Sequence, residues 1–467
     1  MYSVRSLASS SKACVAGYHA QNRSHRTLLS KDILIHRSRL YTSRSRHVTG
    51  TRLSAVPDNT KLFSNLNQET LQHEPGSLLG ASVLVAGTAV GAGILALPQA
   101  LSPAGVLPAA TAITGSAIFS ILTGLCVAEV AINTMCELGT GSGVSLGSMA
   151  KRTLGSFGSV SVVITYILLH YTLLVAYTAK AGETLSSLAT LDTLQAPVVF
   201  ALAVGGLCYG SSPKQLNTVN VVLVAGVIGS FLFLLASVAA DQIHGVDMEA
   251  MYSLSDWHVL TKSLPVVALS FVFQNVVPVI CSSLEGDRGK IRTAIISGIS
   301  VPWIMFMLWT GTILVAAQSG DMASTVGDPL DAVRSQSQTN AILVDAFSLL
   351  AVTTSYIGFV LGLKEFLLEI LDMTVAKGNR IVYPLVVIPP LIFAVNYPNL
   401  FYSALEFAGT YGVLLLFGII PVAMVYSERY IENTTLTRNT LVPGGLPMLL
   451  VLGFAASAII FDQAFVL

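Results

Sequence analysis

The chain has 467 residues, 53% of them hydrophobic and only 11% charged, with 25 basic and 25 acidic side chains. That balance excludes a soluble multidomain protein and an intrinsically disordered one, and points to a chain immersed in lipid. Five cysteines (Cys14, Cys126, Cys136, Cys208 and Cys281) with no C-x-x-C spacing give no sign of a disulfide framework and read as small core residues.

The zero net charge conceals two unlike regions. Residues 1–56 hold ten Lys and Arg against one acid, Asp32, which leaves fifteen basic and twenty-four acidic residues for the remainder. This Ser- and Arg-rich leader lacks a long apolar run, so it fits a cleaved organelle transit peptide better than a secretory signal. A cytosolic tail held against acidic lipid by its arginines is the alternative. The transit reading implies the chloroplast inner envelope, or else the mitochondrial inner membrane. Residues 57–76 read as a linker and 77–466 as a membrane domain, with the bilayer as partner and no nucleic-acid partner expected.

A helix needs roughly 20 apolar residues to cross a bilayer. By that measure eleven spans are expected, near 77–101, 105–135, 157–187, 194–213, 215–240, 263–284, 291–318, 341–371, 380–397, 399–427 and 445–466. The stretch 381–427 is long enough for two crossings and carries a single ionisable side chain, Glu406, so the chain is expected to turn at Asn396-Tyr397-Pro398-Asn399. Eleven spans place twelve Lys and Arg in loops on the N-terminal side, against Lys180, Lys262 and Arg334 opposite. The N-terminal side should therefore face cytosol, stroma or matrix.

Span one contains Gly87, Gly91 and Gly93 within seven residues, followed by Pro98. Each glycine costs about 1 kcal/mol in a helix relative to alanine, so helical commitment is lowest here. The spacing allows close packing of two helices, or an unwound segment whose N–H groups bind a carboxylate. Span six carries Gln274-Asn275 ahead of Pro278, polar groups that are costly in lipid unless a cavity or neighbours satisfy them. Two interrupted helices five spans apart predict an inverted repeat.

The run Gly87-Thr88-Ala89-Val90-Gly91-Ala92-Gly93-Ile94-Leu95-Ala96-Leu97-Pro98 resembles the first-helix signature of the aromatic amino acid permeases, the tryptophan and tyrosine permease family of the amino acid/polyamine/organocation superfamily. Phe271 to Pro278 and the pair Glu129 and Asn133 are similar to later motifs of that family, and the leader suggests a plant or algal organelle-type member. The resemblance covers about 76–466. It implies an all-α, leucine-transporter-like fold with two inverted five-helix repeats, and proton-coupled symport of a hydrophobic amino acid. It implies neither an enzyme nor a cofactor. Bacterial members place a histidine near Gln274, and glutamine cannot titrate.

On this reading Gly87, Thr88, Gly91, Ala92 and Gly93 hold the substrate carboxylate, while Phe271, Phe273, Gln274 and Asn275 hold its amine and side chain. Phe271 and Phe273 could equally be packing residues. Glu129 and Glu406 are candidate proton carriers because ionisable groups within spans are costly, although Glu129 is also near enough to the inner end of its helix to snorkel. His170 could line the path or be a satisfied core residue. Thr353, Thr354 and Ser355 in span eight could ligate sodium, as relatives with sodium coupling do, or bond to their own helix. Gly143-Val144-Ser145-Leu146-Gly147 matches a hydrolase motif but joins two membrane helices, which excludes the strand–turn–helix that motif requires. Asn433-Thr434-Thr435 is a sequon on the inner side, where it would not be glycosylated.

Overall fold

A computed structural model of the chain describes residues 76–465 except 139–143, 190, 243–255, 319–328, 372, 374 and 433–439. The leader, most of the linker and the Asn433 sequon lie outside the described residues. The described residues form helices and connecting turns, with no strand among them.

In chain order the helices are α1 (Leu78–Ala89), α2 (Gly93–Leu101), α3 (Val106–Leu138), α4 (Leu146–Ala189), α5 (Gln195–Gly210) and α6 (Pro213–Gln242). There follow α7 (Leu260–Ser270), a 3-10 turn at Gln274–Val276, α8 (Val277–Ser283), α9 (Arg288–Gln318), α10 (Pro329–Gln336), α11 (Gln338–Ile370) and α12 (Val375–Asn396). The last are α13 (Phe401–Phe407), a π-helical stretch at Ala408–Ile419, α14 (Ile420–Tyr426), a second π-helical stretch at Ser427–Ile431, and α15 (Gly445–Ala464).

Eight helical segments are long and apolar enough to cross a membrane, and the bent pair α1 and α2 makes a ninth. Two of the expected spans are shorter: Gln195–Gly210, and the apolar part of α12, Arg380–Asn396. The first is cut off at the Ser211-Ser212-Pro213 corner, and Pro384, Pro389 and Pro390 interrupt the hydrogen bonding of the second. The turn expected at Asn396 to Asn399 is present between α12 and α13. Gly155 (φ 69°) kinks α4, so the turns carrying Lys151 and Arg152 leave the axis of the apolar run that follows. Ser145 and Ser148 cap that helix, each hydroxyl accepting from the other's N–H.

Both suspected interruptions are real. Helices α1 and α2 meet at 54° across Val90 to Ala92, and α7 stops at Ser270 before the 3-10 turn leads into α8. Helix α3 braces the second break: Ser120 Oγ donates to the Phe271 carbonyl (2.6 Å), and Gln274 Nε2 donates to Ser120 Oγ and Thr123 Oγ1 (3.1 Å each). Gln274 Oε1 accepts the Phe273 N–H at 3.0 Å. These side chains replace helical bonds that lipid could not supply.

The half-helices are joined in pairs. Gly76 N–H donates to the Ser283 carbonyl (2.9 Å), tying the start of α1 to the end of α8. Gly93 lies so near α7 that a Cβ there would sit 2.7 Å from Ser270 Oγ and 3.0 Å from its Cα.

Near the end of the bundle where α1 starts, buried charges cross-link α3, α4 and the end of the tenth span. Arg429 Nε and Nη2 donate to the two oxygens of Glu129 (2.7 and 2.6 Å), and Leu441 N–H adds a third donor at 2.8 Å. Arg152 pairs with Glu428, which also accepts from Asn133 Nδ2. Arg429 and Glu129 are 6% and 4% exposed, so removing one partner strands the other in a dry site. Glu129→Gln should lower stability by about 3 kcal/mol or more. The measurement is unfolding of the purified protein in detergent, where an unchanged midpoint would show the pair to be dispensable.

Candidate functional site

A cavity of about 610 Å³ lies at the two breaks. Of the residues expected at the site, Gly87, Thr88, Gly91, Ala92, Gly93, Asn275, Thr354 and Ser355 line it. It runs past His170 and Tyr177 of α4 toward Ser211, Lys364 and Glu365 at the α1 end of the bundle. Beyond the break, Leu95, Leu97 and Leu101 of α2 are fully buried in the core and outside the cavity lining.

The break at α1 offers unmet donors. Ala92 N–H is taken by Ser355 Oγ (2.9 Å), whereas the N–H groups of Gly91 and Gly93 have no acceptor among the described residues. Gly93 begins α2, so its N–H lies at the positive end of a helix, where an anionic group is favoured. At Gly91 a Cβ would lie 2.6 Å from Ser355 Oγ, the hydroxyl that serves the Ala92 N–H, so a side chain there must move Ser355.

The three remaining residues expected to contact solute from span six do not line the cavity. Phe271 and Phe273 are fully buried: the first meets Phe306 edge-on with ring centroids 5.0 Å apart, and the second fits where Gly124 of α3 has no side chain. Gln274 spends its amide on Ser120, Thr123 and Phe273. Instead Leu269, Ser270, Val272 and Val276 reach the cavity beside Asn275.

Neither carboxyl expected to carry protons lines the cavity. Glu129 is held by Arg429 and a backbone N–H, outside the cavity lining. Glu406 faces a separate recess beyond α4. Thr353 and Thr354 hydroxyls donate to the carbonyls of Leu349 and Ala351, their own helix, while Ser355 serves the break.

His170 does line the cavity. Its Nδ1 is 2.8 Å from the Tyr166 carbonyl, its ring stacks on Tyr166 (centroids 3.9 Å) and meets Phe359 of α11 (5.0 Å). Gly362 makes room, since a Cβ there would lie 3.3 Å from Nε2. Tyr177 and Phe359, absent from the expected set, complete an aromatic wall. Their signal was helical spacing: Tyr177 follows His170 by seven residues, and Phe359 follows Ser355 by four.

Apolar helices surrounding a partly polar cavity define an integral membrane protein with an internal hollow. A family model described as the tryptophan/tyrosine permease family matches residues 74–462, and the chain belongs to that family of transporters. Similar proteins include "Tyrosine-specific transport system 2" of Haemophilus influenzae, 28% identical over 76% of this chain and 89% of that protein. Others are a "Tryptophan-specific transport protein" of Pseudomonas aeruginosa, 26% identical over 82% and 93%, and "Glutamine transporter 2" of Aliivibrio fischeri, 23% identical over 78% and 92%.

Two substitutions test the site. Gly91→Leu should weaken amino acid binding by about tenfold or more, about 1.4 kcal/mol, because the side chain must displace Ser355 or fill the cavity. Ser355→Ala should destabilise the protein by about 1–3 kcal/mol by leaving Ala92 N–H unmet. Equilibrium binding and thermal unfolding read the two; wild-type affinity in the first variant would remove the break from the binding site.

Proposed function

We propose that the chain is a secondary active transporter that moves an aromatic or other large neutral amino acid by alternating access, coupled to protons. The observation that carries this reading is the pair of unmet N–H groups at Gly91 and Gly93 facing a cavity with an aromatic wall. The carboxylate would bind at the α2 N-terminus, and Asn275 with Ser270 would face the amine. The side chain would lie along His170, Tyr177 and Phe359. The names of the relatives favour the same solute class.

The cavity extends from the breaks toward the α1 end of the bundle, while α2 beyond the break is packed in the core, an asymmetry that favours one half of an alternating cycle. At the opposite end Arg334 of α10 bridges Asp331 (2.6 Å) and Asp345 (2.9 Å). Burial alone would lower the Arg334 pKa, but these carboxylates outweigh it and hold the guanidinium above its ordinary range. The bent pair, the eight long helices and the two short apolar ones together suit an eleven-span, leucine-transporter-like arrangement with inverted repeats.

Besides Glu129, which lies outside the cavity lining, His170 in the wall and Glu365 at the mouth are candidates to carry the proton. Ser355 beside the break favours a second reading, sodium coupling. Proteoliposomes containing the purified protein should accumulate tyrosine or tryptophan above equilibrium under an imposed pH gradient with sodium absent. Accumulation that follows sodium alone would transfer coupling to the second reading, and mere equilibration would leave a facilitator.

We also infer that residues 1–56 direct import to an organelle inner membrane, the chloroplast inner envelope foremost, a reading supported by their ten basic residues against one acid. The protein isolated from its native membrane should then lack about the first 56 residues. Mass spectrometry of an intact N-terminus there would exclude cleavage.

A further inference from the structure

A second cavity, of about 580 Å³, lies between α4, α12 and α13, away from the broken helices. Its chemistry is one-sided. Among the described residues Glu406 is the single charged side chain in its lining, with no Lys, Arg or His beside it. Four rings, Tyr171, Phe393, Phe407 and Tyr411, make up much of the rest.

The recess arises from the prolines of α12. Pro389 has no N–H for the Leu385 carbonyl four residues back, and Tyr171 Oη donates to that carbonyl instead, at 2.8 Å. The tyrosine hydroxyl is thereby committed to α12 and its ring turned to the cavity wall. Glu406, by contrast, makes no side-chain hydrogen bond or ion pair among the described residues. It sits six residues past Leu400, roughly 9 Å along the helix from the turn at Tyr397 to Leu400. Its carboxylate is exposed at the mouth of the recess, where it sets one negative charge beside the rings with no counter-charge from the described lining, so a cation is the complementary ligand.

We infer that this recess binds an arylalkylammonium: one primary ammonium on a short chain ending in an aromatic ring. The ammonium would pair with Glu406, and the rings would add cation–π and stacking contacts. A zwitterionic amino acid is excluded because its carboxylate would meet Glu406 with no cation in the lining to receive it. A two-chain lipid is disfavoured by the volume, which matches a small ligand. The inference does not rest on the transport reading, since the two cavities share no lining residue.

The test uses the purified full chain in a non-ionic, lipid-free detergent and follows thermal unfolding during titration with phenethylamine. Saturable stabilisation is expected, with no shift from phenylacetate or from N-acetylphenethylamine, which keep the ring but lose the cation. Glu406→Gln should move the half-maximal concentration upward by about tenfold or more, the equivalent of about 1.4 kcal/mol. Gly91→Leu should leave the response to phenethylamine intact while amino acid binding falls, so failure in one cavity is separable from failure in the other. Equal potency of the acetylated compound on the wild-type protein would overturn the assignment even if Glu406→Gln folded poorly. So would loss of the response in Gly91→Leu, or stabilisation by ethanolamine-headed phospholipid and not by phenethylamine.

Discussion

The architecture depends on side chains of intact helices standing in for backbone hydrogen bonds that the broken helices give up. Within lipid an unmet N–H or carbonyl costs several kcal/mol, because there is no water to take the lost partner's place. Ser120, Thr123 and Gln274 meet that demand at the second break, and Ser355 meets it at the first. This requirement holds α3 against α7 and α11 against α1. It also explains why the groups left over are informative: the N–H groups of Gly91 and Gly93 remain open where a solute can reach them.

Burial of charge follows the same logic. Glu129 lies 300 residues from Arg429 in sequence, yet the two form a bidentate pair that welds the third helix to the tenth span and to the segment at Leu441. Arg152 and Glu428 form a second ion pair close by, through one contact. Pairing of this kind makes ionisable residues into cross-links between distant segments.

Much of this was legible in the sequence. Glycines at 87, 91 and 93, and the Gln274-Asn275 pair ahead of Pro278, mark the breaks because their local cost in a membrane helix requires a reason. The turn at Pro398 followed from the length of the apolar stretch together with its Asn-Tyr-Pro-Asn signal. What stayed hidden depends on contacts between distant segments. Nothing near Glu129 announces Arg429, and nothing near Phe273 announces the gap at Gly124 that receives its ring. Gln274 looked like a solute ligand because an amide in lipid needs partners; its partners turned out to be hydroxyls one helix away. The span expected over 194–213 ends at Gly210 because the Ser211-Ser212-Pro213 corner, and not hydropathy, stops that helix.

The pairwise joining of the half-helices has a mechanical consequence. Gly76 bonded to Ser283 couples one pair of arms, and Gly93 pressed on Ser270 couples the other. Each pair is then a strut, and the pivots left between the struts are the non-helical residues Val90 to Ala92 and Phe271 to Phe273. A swing of either lower arm must carry its mate, so the two pivots would flex in the same stroke, bending around the very peptide groups that would grip the cargo.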